Sequence, residues 1–367
     1  MALLWQIEYR GINMETIIGM IDGGIEVKLD SPANLHILAV GNSGSGKTTA
    51  LMSALLQGAS QGRKAIVINW RDSAAVGMLN PSQEVSFRRI ARHIDAERDG
   101  IPLPLFTRQL LPNGELESEN KLIGRIVSLL SKSGKLTATE EQCLSAAVET
   151  VVKDGSYGTE GIAALEKALS EQESSRRYAV MRKLSFLINY NLLRDGNLFD
   201  GDLPLVDFDL NGLEYEQQDQ VVILMLDYLL RSGQNGAFIK NGVTIFLDEA
   251  QNLDYSKGTP LYHLINESRK QNVQLMMAAT SMFGSDNRSM KIVQQCATKL
   301  FFSPQESECV KIAEMIDKQK SRYWHIQLSR LEKWQFIAVG SFMLPNRNIR
   351  RPLLLTAFIP EAKNNKI

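Results

Sequence analysis

Two short stretches carry residue types that suit work on a phosphate anhydride. The first is Gly41-Asn42-Ser43-Gly44-Ser45-Gly46-Lys47-Thr48, followed by Thr49, which fits G-x-x-x-x-G-K-[ST] at every fixed position. Its glycines free the backbone to curl N–H groups around phosphate oxygens, and a helix starting at the lysine adds the positive end of its dipole. Lys47 is placed to reach the β- and γ-phosphates as a point charge, and the Thr48 hydroxyl to ligate Mg²⁺. The second stretch is Val243-Thr244-Ile245-Phe246-Leu247-Asp248-Glu249, in which strand-favouring residues run straight into two acids. In an open α/β sheet ligands bind at the carboxyl ends of strands, so both carboxylates should stand beside the glycine-rich loop. Asp248 is expected to hold Mg²⁺ through water, and Glu249 to polarise the attacking water. The two stretches together predict Mg²⁺-dependent ATP hydrolysis.

The elements that must position these residues are legible around them. LHILAV (35–40) is an apolar run that follows a turn at Ser31-Pro32 and ends at Gly41, which suits a buried parallel strand. The helical stretch TALMSALLQGASQG ends at Gly62, and KAIVINW (64–70) reads as a second buried strand. Strand, glycine-rich loop, helix and strand make one βαβ unit. Further strand patterns lie at 25–30, 203–210, 241–251, 272–280, 298–303, 334–342 and 351–359, with a long helix over 219–233. Between Ser82 and Leu198 the character changes. Pro102, Pro104 and Pro112 interrupt a polar stretch, and helical patterns follow at 122–130, 139–154 (opened by a Thr139 cap) and 174–193. The expected fold is therefore α/β with a mainly parallel sheet and an inserted all-helical subdomain. Residues 1–81 hold the N-terminal strands and the first part of the ATPase core, 82–198 the helical insertion, and 199–367 the second part with the acids.

Composition excludes several classes. The 367 residues are 44% hydrophobic and 22% charged, which rules out a largely disordered chain. Lys+Arg and Asp+Glu number 41 each, so any nucleic-acid contact must come from a local patch. Cys143, Cys296 and Cys309 are scattered, which excludes a disulfide framework and predicts reduced core thiols. His36, His93, His263 and His325 lack the spacing of a metal site or a triad, and no GxSxG or HExxH occurs. No apolar run of about eighteen residues marks a membrane span, and MALLWQIEYRG lacks the pattern of a signal peptide. The chain reads as soluble and cytoplasmic.

LHILAVGNSGSGKTT, VTIFLDEAQNL, ESRKQNVQLMMAATS and FDLNGL (208–213), in that arrangement, resemble the HerA/FtsK superfamily of ring ATPases. That group includes the type IV secretion and conjugative coupling ATPases, and the resemblance runs from about Ile25 to Pro360. It implies a RecA-like core, a homohexamer with ATP and Mg²⁺ at subunit interfaces, and helicase-type translocation of DNA through a central pore. In that family an arginine about twenty residues past the acidic pair enters the neighbour's site, and Arg269 falls at that place; the alternative is a surface arginine on an amphipathic helix. Relatives usually end the next strand in a glutamine that senses the γ-phosphate. Here Ser281 stands there, able to make a hydrogen bond but shorter, so the sensing step is altered while ATP binding is not.

Candidate DNA contacts are Arg71, Arg288 and Lys291 in strand-end loops; the cluster Arg176, Arg177, Arg182 and Lys183 on the insertion is a further candidate, though a charge run of this kind is usually a solvated helix face. Arg347, Arg350 and Arg351 either approach a neighbour's nucleotide or cap an edge strand. Forty residues precede Gly41 where HerA proper carries a β-barrel, so the chain is expected to be a nearly bare motor core that powers a partner. A nuclease in DNA processing or antiphage defence comes first, and a conjugation or secretion channel second. One alternative is an ATP-ordered ring platform that activates a partner without threading DNA; another is a monomeric switch.

Overall fold

The apolar runs form strands of one large sheet in the computed structural model, which describes residues 15–30, 35–72, 76–111, 113–188, 192–194, 196–281 and 295–359. The chain begins with β1 (Ile17–Ile21), β2 (Ile25–Leu29), β3 (Ile37–Val40), α1 (Lys47–Ser60) and β4 (Lys64–Asn69). Next come α2 (Pro81–Ile90), β5 (Ala91–Asp95), α3 (Ala96–Asp99) and β6 (Ile101–Pro102). A helical stretch follows, with α4 (Glu119–Ser133), α5 (Ala138–Asp154), α6 (Tyr157–Glu160), α7 (Ile162–Ser170), α8 (Arg177–Lys183) and α9 (Ser185–Ile188), before β7 (Leu193–Arg194). The chain returns through β8 (Leu205–Asp209), α10 (Tyr215–Gln234), β9 (Val243–Leu247), α11 (Pro260–Glu267), β10 (Val273–Ala279) and β11 (Thr298–Phe302). It closes with α12 (Glu306–Ile316), α13 (Ser321–Ser329), β12 (Gln335–Val339), β13 (Phe342–Leu344), β14 (Arg347–Ile349) and β15 (Leu353–Ala357).

Among the described residues the sheet has 13 strands in the order β14-β13-β2-β1-β15-β12-β11-β3-β10-β9-β4-β8-β5. Strands β11, β3, β10, β9, β4, β8 and β5 run parallel, and the others extend the sheet antiparallel. Successive strand residues face opposite sides. Ile37, Ala39, Ala65 and Val67 join one core with Leu51 and Leu55 of α1, while Leu38, Val40, Ile66 and Ile68 join the other with Val222 and Met225 of α10. Because both faces are covered there, the central parallel strands β3, β4, β9 and β10 read as mostly apolar runs.

The stretch 82–198 is helical only in part. Ala91–Asp95 pairs in parallel with β8, from Ala91↔Leu205 to Asp95↔Asp209, and forms the last strand of the sheet. As an edge strand with a single fully buried residue, Ile94, it carries too little apolar signal to stand out in the sequence. Helix α5 starts at Ala138 with Thr137, not Thr139, as its cap, because Glu140 lies at the third helical position and accepts from the Thr137 N–H at 2.7 Å. The pattern over 174–193 divides into α8 and α9 where Leu184 leaves helical geometry. Helices α4 and α10 are tied by Asp227, which is 1% exposed and answered by Lys132 at 2.9 Å and Arg231 at 2.7 Å.

Strand order decides where the chemistry can be. β10 lies between β3 and β9, so the loop after β3, Thr280 and Ser281 after β10, and Asp248 and Glu249 after β9 share one carboxyl edge.

Candidate nucleotide site

The glycine-rich loop is stitched to both neighbouring strands. Gly41 N–H donates to Ala279 O at 3.2 Å, and Asn42 N–H to Ser303 O at 2.8 Å. At Gly41 a Cβ would come within 2.8 Å of Phe302, and its φ of 155° favours glycine as well. Gly46, at φ 105°, turns the chain into α1. Lys47, 6% exposed, donates through Nζ to Gly41 O at 2.8 Å and Asn42 O at 2.9 Å. Burial lowers the pKa of this ammonium, and Asp248 and Glu249 oppose that shift. The lysine is thus held by carbonyl oxygens of the loop that phosphate oxygens can replace.

Asp248 is 8% exposed and joins the loop directly: its Oδ2 accepts from Thr48 Oγ1 at 2.8 Å. Its Oδ1 accepts from Glu249 N–H at 2.9 Å, and its carbonyl accepts from Trp70 Nε1 at 2.8 Å. Glu249 adopts a left-handed backbone, φ 47° and ψ 37°, which turns the chain sharply after β9. Its carboxylate accepts a hydrogen bond from the Gln251 amide, whose own oxygen accepts from Thr280 N–H at 3.2 Å. Gln251 therefore bridges the acid and the end of β10. Sequence reasoning passed it over; its only local signal is its place two residues after Glu249.

The oxygens of Thr48 and Asp248 converge on one point and are hard donors of the kind Mg²⁺ takes, one hydroxyl and one carboxylate beside the phosphates. These residues fit the ion. Among the described residues no group of three or more His, Cys, Asp or Glu could hold a metal by itself.

Ser281 shares the edge, and its hydroxyl is committed to the buried Glu308 of α12. Arg269 does not share it. It is exposed in the single turn Ser268–Gln271 that leads into β10, at the opposite, amino edge of the sheet. The five residues of β9 alone span about 16 Å, so Arg269 cannot reach the loop of its own chain.

Arg71 is also engaged: it pairs with Asp219 at 2.7 and 2.8 Å and lies over the Tyr215 ring at 4.8 Å. In the insertion cluster Lys183 pairs with Glu140 at 2.6 Å and Arg177 lies over Tyr178, while Arg176 and Arg182 are exposed. Arg347, Arg350 and Arg351 are exposed on and after the outermost strand β14. Arg288 and Lys291 lie outside the described residues. Two of the histidines have acidic neighbours: His93 Nδ1 is 2.8 Å from Asp207, and His263 Nδ1 is 2.7 Å from Glu267. His36 is buried, accepts from Leu275 N–H at 3.0 Å, and is pushed by burial down to about 4.

The fold has counterparts among solved structures. The chain is similar to VirB4 of Thermoanaerobacter pseudethanolicus, with a TM-score of 0.65 and 17% identity over 94% of this chain and 96% of that one. It is similar to the unbound monoclinic form of the bacterial conjugative coupling protein TrwBdeltaN70, with a TM-score of 0.61 and 12% identity over 95% and 91% of the two chains. A third is the plasmid coupling protein TrwB in complex with the non-hydrolysable ATP analogue ADPNP, with a TM-score of 0.56 and 12% identity over 97% and 93%. No protein-family profile and no curated protein sequence matches the chain. The chain shares the fold of these structures, α/β with a large and mostly parallel sheet, as the sequence led us to expect.

Proposed function

We propose that this protein is a Mg²⁺-dependent ATP hydrolase of the HerA/FtsK kind that assembles into a ring, as a hexamer, and uses turnover to move along DNA. The observation that carries the reading is the 2.8 Å hydrogen bond from Thr48 to Asp248, which sets the hydroxyl of the loop against the acid of a strand two places away in the sheet. The TrwB structures with ADP and Mg²⁺ and with an ATP analogue support the choice of ligand.

Mg²⁺, held by Thr48 and Asp248 with the phosphates, would supply charge neutralisation on the β- and γ-oxygens. Loop N–H groups and the start of α1 cradle the phosphates. Lys47 exchanges the Gly41 and Asn42 carbonyls for phosphate oxygens. Glu249 takes a proton from water as that water bonds to the γ-phosphorus; the bond to the β,γ-bridging oxygen breaks, and ADP and phosphate leave. Gln251 holds the carboxylate of Glu249 in place. Arg269 acts in the site of a neighbouring copy, where a guanidinium neutralises the charge developing on the γ-phosphoryl group. Its exposure at the edge opposite its own loop favours a role in trans over one in cis.

The work of the ring would be delivered to a partner, a nuclease in DNA processing or antiphage defence before a conjugation or secretion channel. ATPase rate measured against protein concentration, with and without duplex DNA, tests the reading. A rate that rises with concentration and again with DNA is expected. A rate that rises with concentration and ignores DNA would replace the motor by a ring platform, and flat specific activity in both would remove the ring.

A further inference from the structure

The phosphate loop has two flanks. On one, β10 and β9 deliver Thr280, Asp248 and Glu249, and the terminal phosphate must point that way because the water-activating acid stands there. The nucleoside must then run toward the other flank, where β11 ends and β12 begins. On that side the Trp334 N–H donates to Ser45 O of the loop at 3.0 Å, and the Trp334 carbonyl accepts from Ala357 N–H at 2.8 Å. The backbone between these bonds is left-handed at φ 75°, a conformation a bulky side chain seldom takes. The indole lies so close to the loop that a Cβ at Gly46 would come within 2.7 Å of it. One part of the ring packs on the core that holds α1, yet the residue as a whole is only half-buried. Over the ring stands the ammonium of the exposed Lys333, 5.0 Å from the centroid.

We propose that Trp334 is the platform on which the base of the bound nucleotide stacks, with Lys333 yielding the ring face to it. The ligand class is nucleoside di- and triphosphates, and the assignment rests on the nucleotide reading of the loop. A π-face accepts any base, so Trp334 adds affinity for the nucleoside without selecting among purines. A flexible lysine above the ring is readily displaced, because an exposed cation–π contact is weak.

The test is calorimetric binding of ADP and of inorganic tripolyphosphate, each with Mg²⁺, to the full chain and to Trp334→Ala and Trp334→Phe. Trp334→Ala is expected to weaken ADP by about tenfold or more and to leave tripolyphosphate unchanged. Trp334→Phe should retain most of the ADP affinity, and unchanged tripolyphosphate binding shows that the loop is intact. Equal losses for both ligands would mean that the indole only props the loop, and no loss for either would mean that it meets no base; both results overturn the proposal. A wild-type chain that binds tripolyphosphate but gains nothing from the nucleoside overturns it alone. A wild-type chain that binds neither ligand removes the nucleotide reading itself, and this assignment with it.

Discussion

The two edges of the parallel sheet both bury polar groups, and they treat them differently. At the amino edge Arg63, 3% exposed, donates to Thr244 Oγ1 at 2.9 Å, Asn272 Oδ1 at 2.9 Å, Val243 O at 3.0 Å and Asn272 O at 2.9 Å. The Thr244 hydroxyl donates to Gln274 Oε1, and Gln274 Nε2 donates to Leu35 O, each at 2.8 Å. These partners are backbone carbonyls, side-chain amides and a hydroxyl fixed within the fold, and burial brings the guanidinium down to about 10. At the carboxyl edge Lys47 rests on loop carbonyls, Thr48 on Asp248 and Glu249 on Gln251, contacts that phosphate, metal and water can each take over. A closed network holds a fold, and an exchangeable one receives a ligand. Substitutions should therefore separate into losses of stability at one edge and losses of turnover at the other.

The largest effect is expected for Glu249→Gln. Steady-state ATPase assays should show turnover down by about a hundredfold to ten-thousandfold, with ADP affinity and melting temperature unchanged. A fall in melting temperature comparable with that of an amino-edge variant would erase the distinction between the edges. Arg63→Met is the converse. It leaves the carbonyls of Val243 and Asn272 without their buried donor, so denaturant unfolding should show a loss of about 3 kcal/mol, with ADP affinity of the folded fraction kept.

The next effect depends on pH. His36 is neutral in the fold, where its pKa is about 4 against an ordinary 6.5. The unfolded chain therefore takes up the proton first: the contribution is complete above pH 6.5 and is lost as pH falls toward 4, up to about 3 kcal/mol. Unfolding followed from pH 7 to pH 4 should show a shallower decline for His36→Asn than for wild type; equal slopes would count against the buried neutral ring. The smallest effect is expected for Ser281→Ala. It removes the bond to Glu308 and should cost about 1 kcal/mol of stability with little change in turnover. A turnover loss matching that of Glu249→Gln would instead place the Ser281 hydroxyl among the reacting groups.

The parts legible in the sequence were those whose cause is local. The loop needs contiguous residues at fixed spacing, the acids end an apolar run, and strands covered on both faces show as mostly hydrophobic stretches. What escaped depends on contacts made across the chain. Arg63 meets Asn272, 209 positions away, and His93 meets Asp207, 114 positions away. Arg71, a candidate DNA contact in the sequence, meets Asp219 of α10, 148 positions on. Trp334 reaches the loop only because β12 and β11 lie side by side in the sheet. Strand β5 was hidden for a different reason: A-R-H-I-D is an edge strand, and one buried isoleucine does not make a period.

The central claim is that the carboxyl edge of one copy is an ATPase site completed by Arg269 from the amino edge of another. Mixing tests it most directly. Arg269→Ala and Glu249→Gln proteins are each assayed alone and then combined at equal concentration. Each should be inactive alone, and the mixture should regain hydrolysis, since an intact Glu249 then meets an intact Arg269 across an interface. A mixture no more active than its components, or an Arg269→Ala protein as active as wild type, would contradict the account.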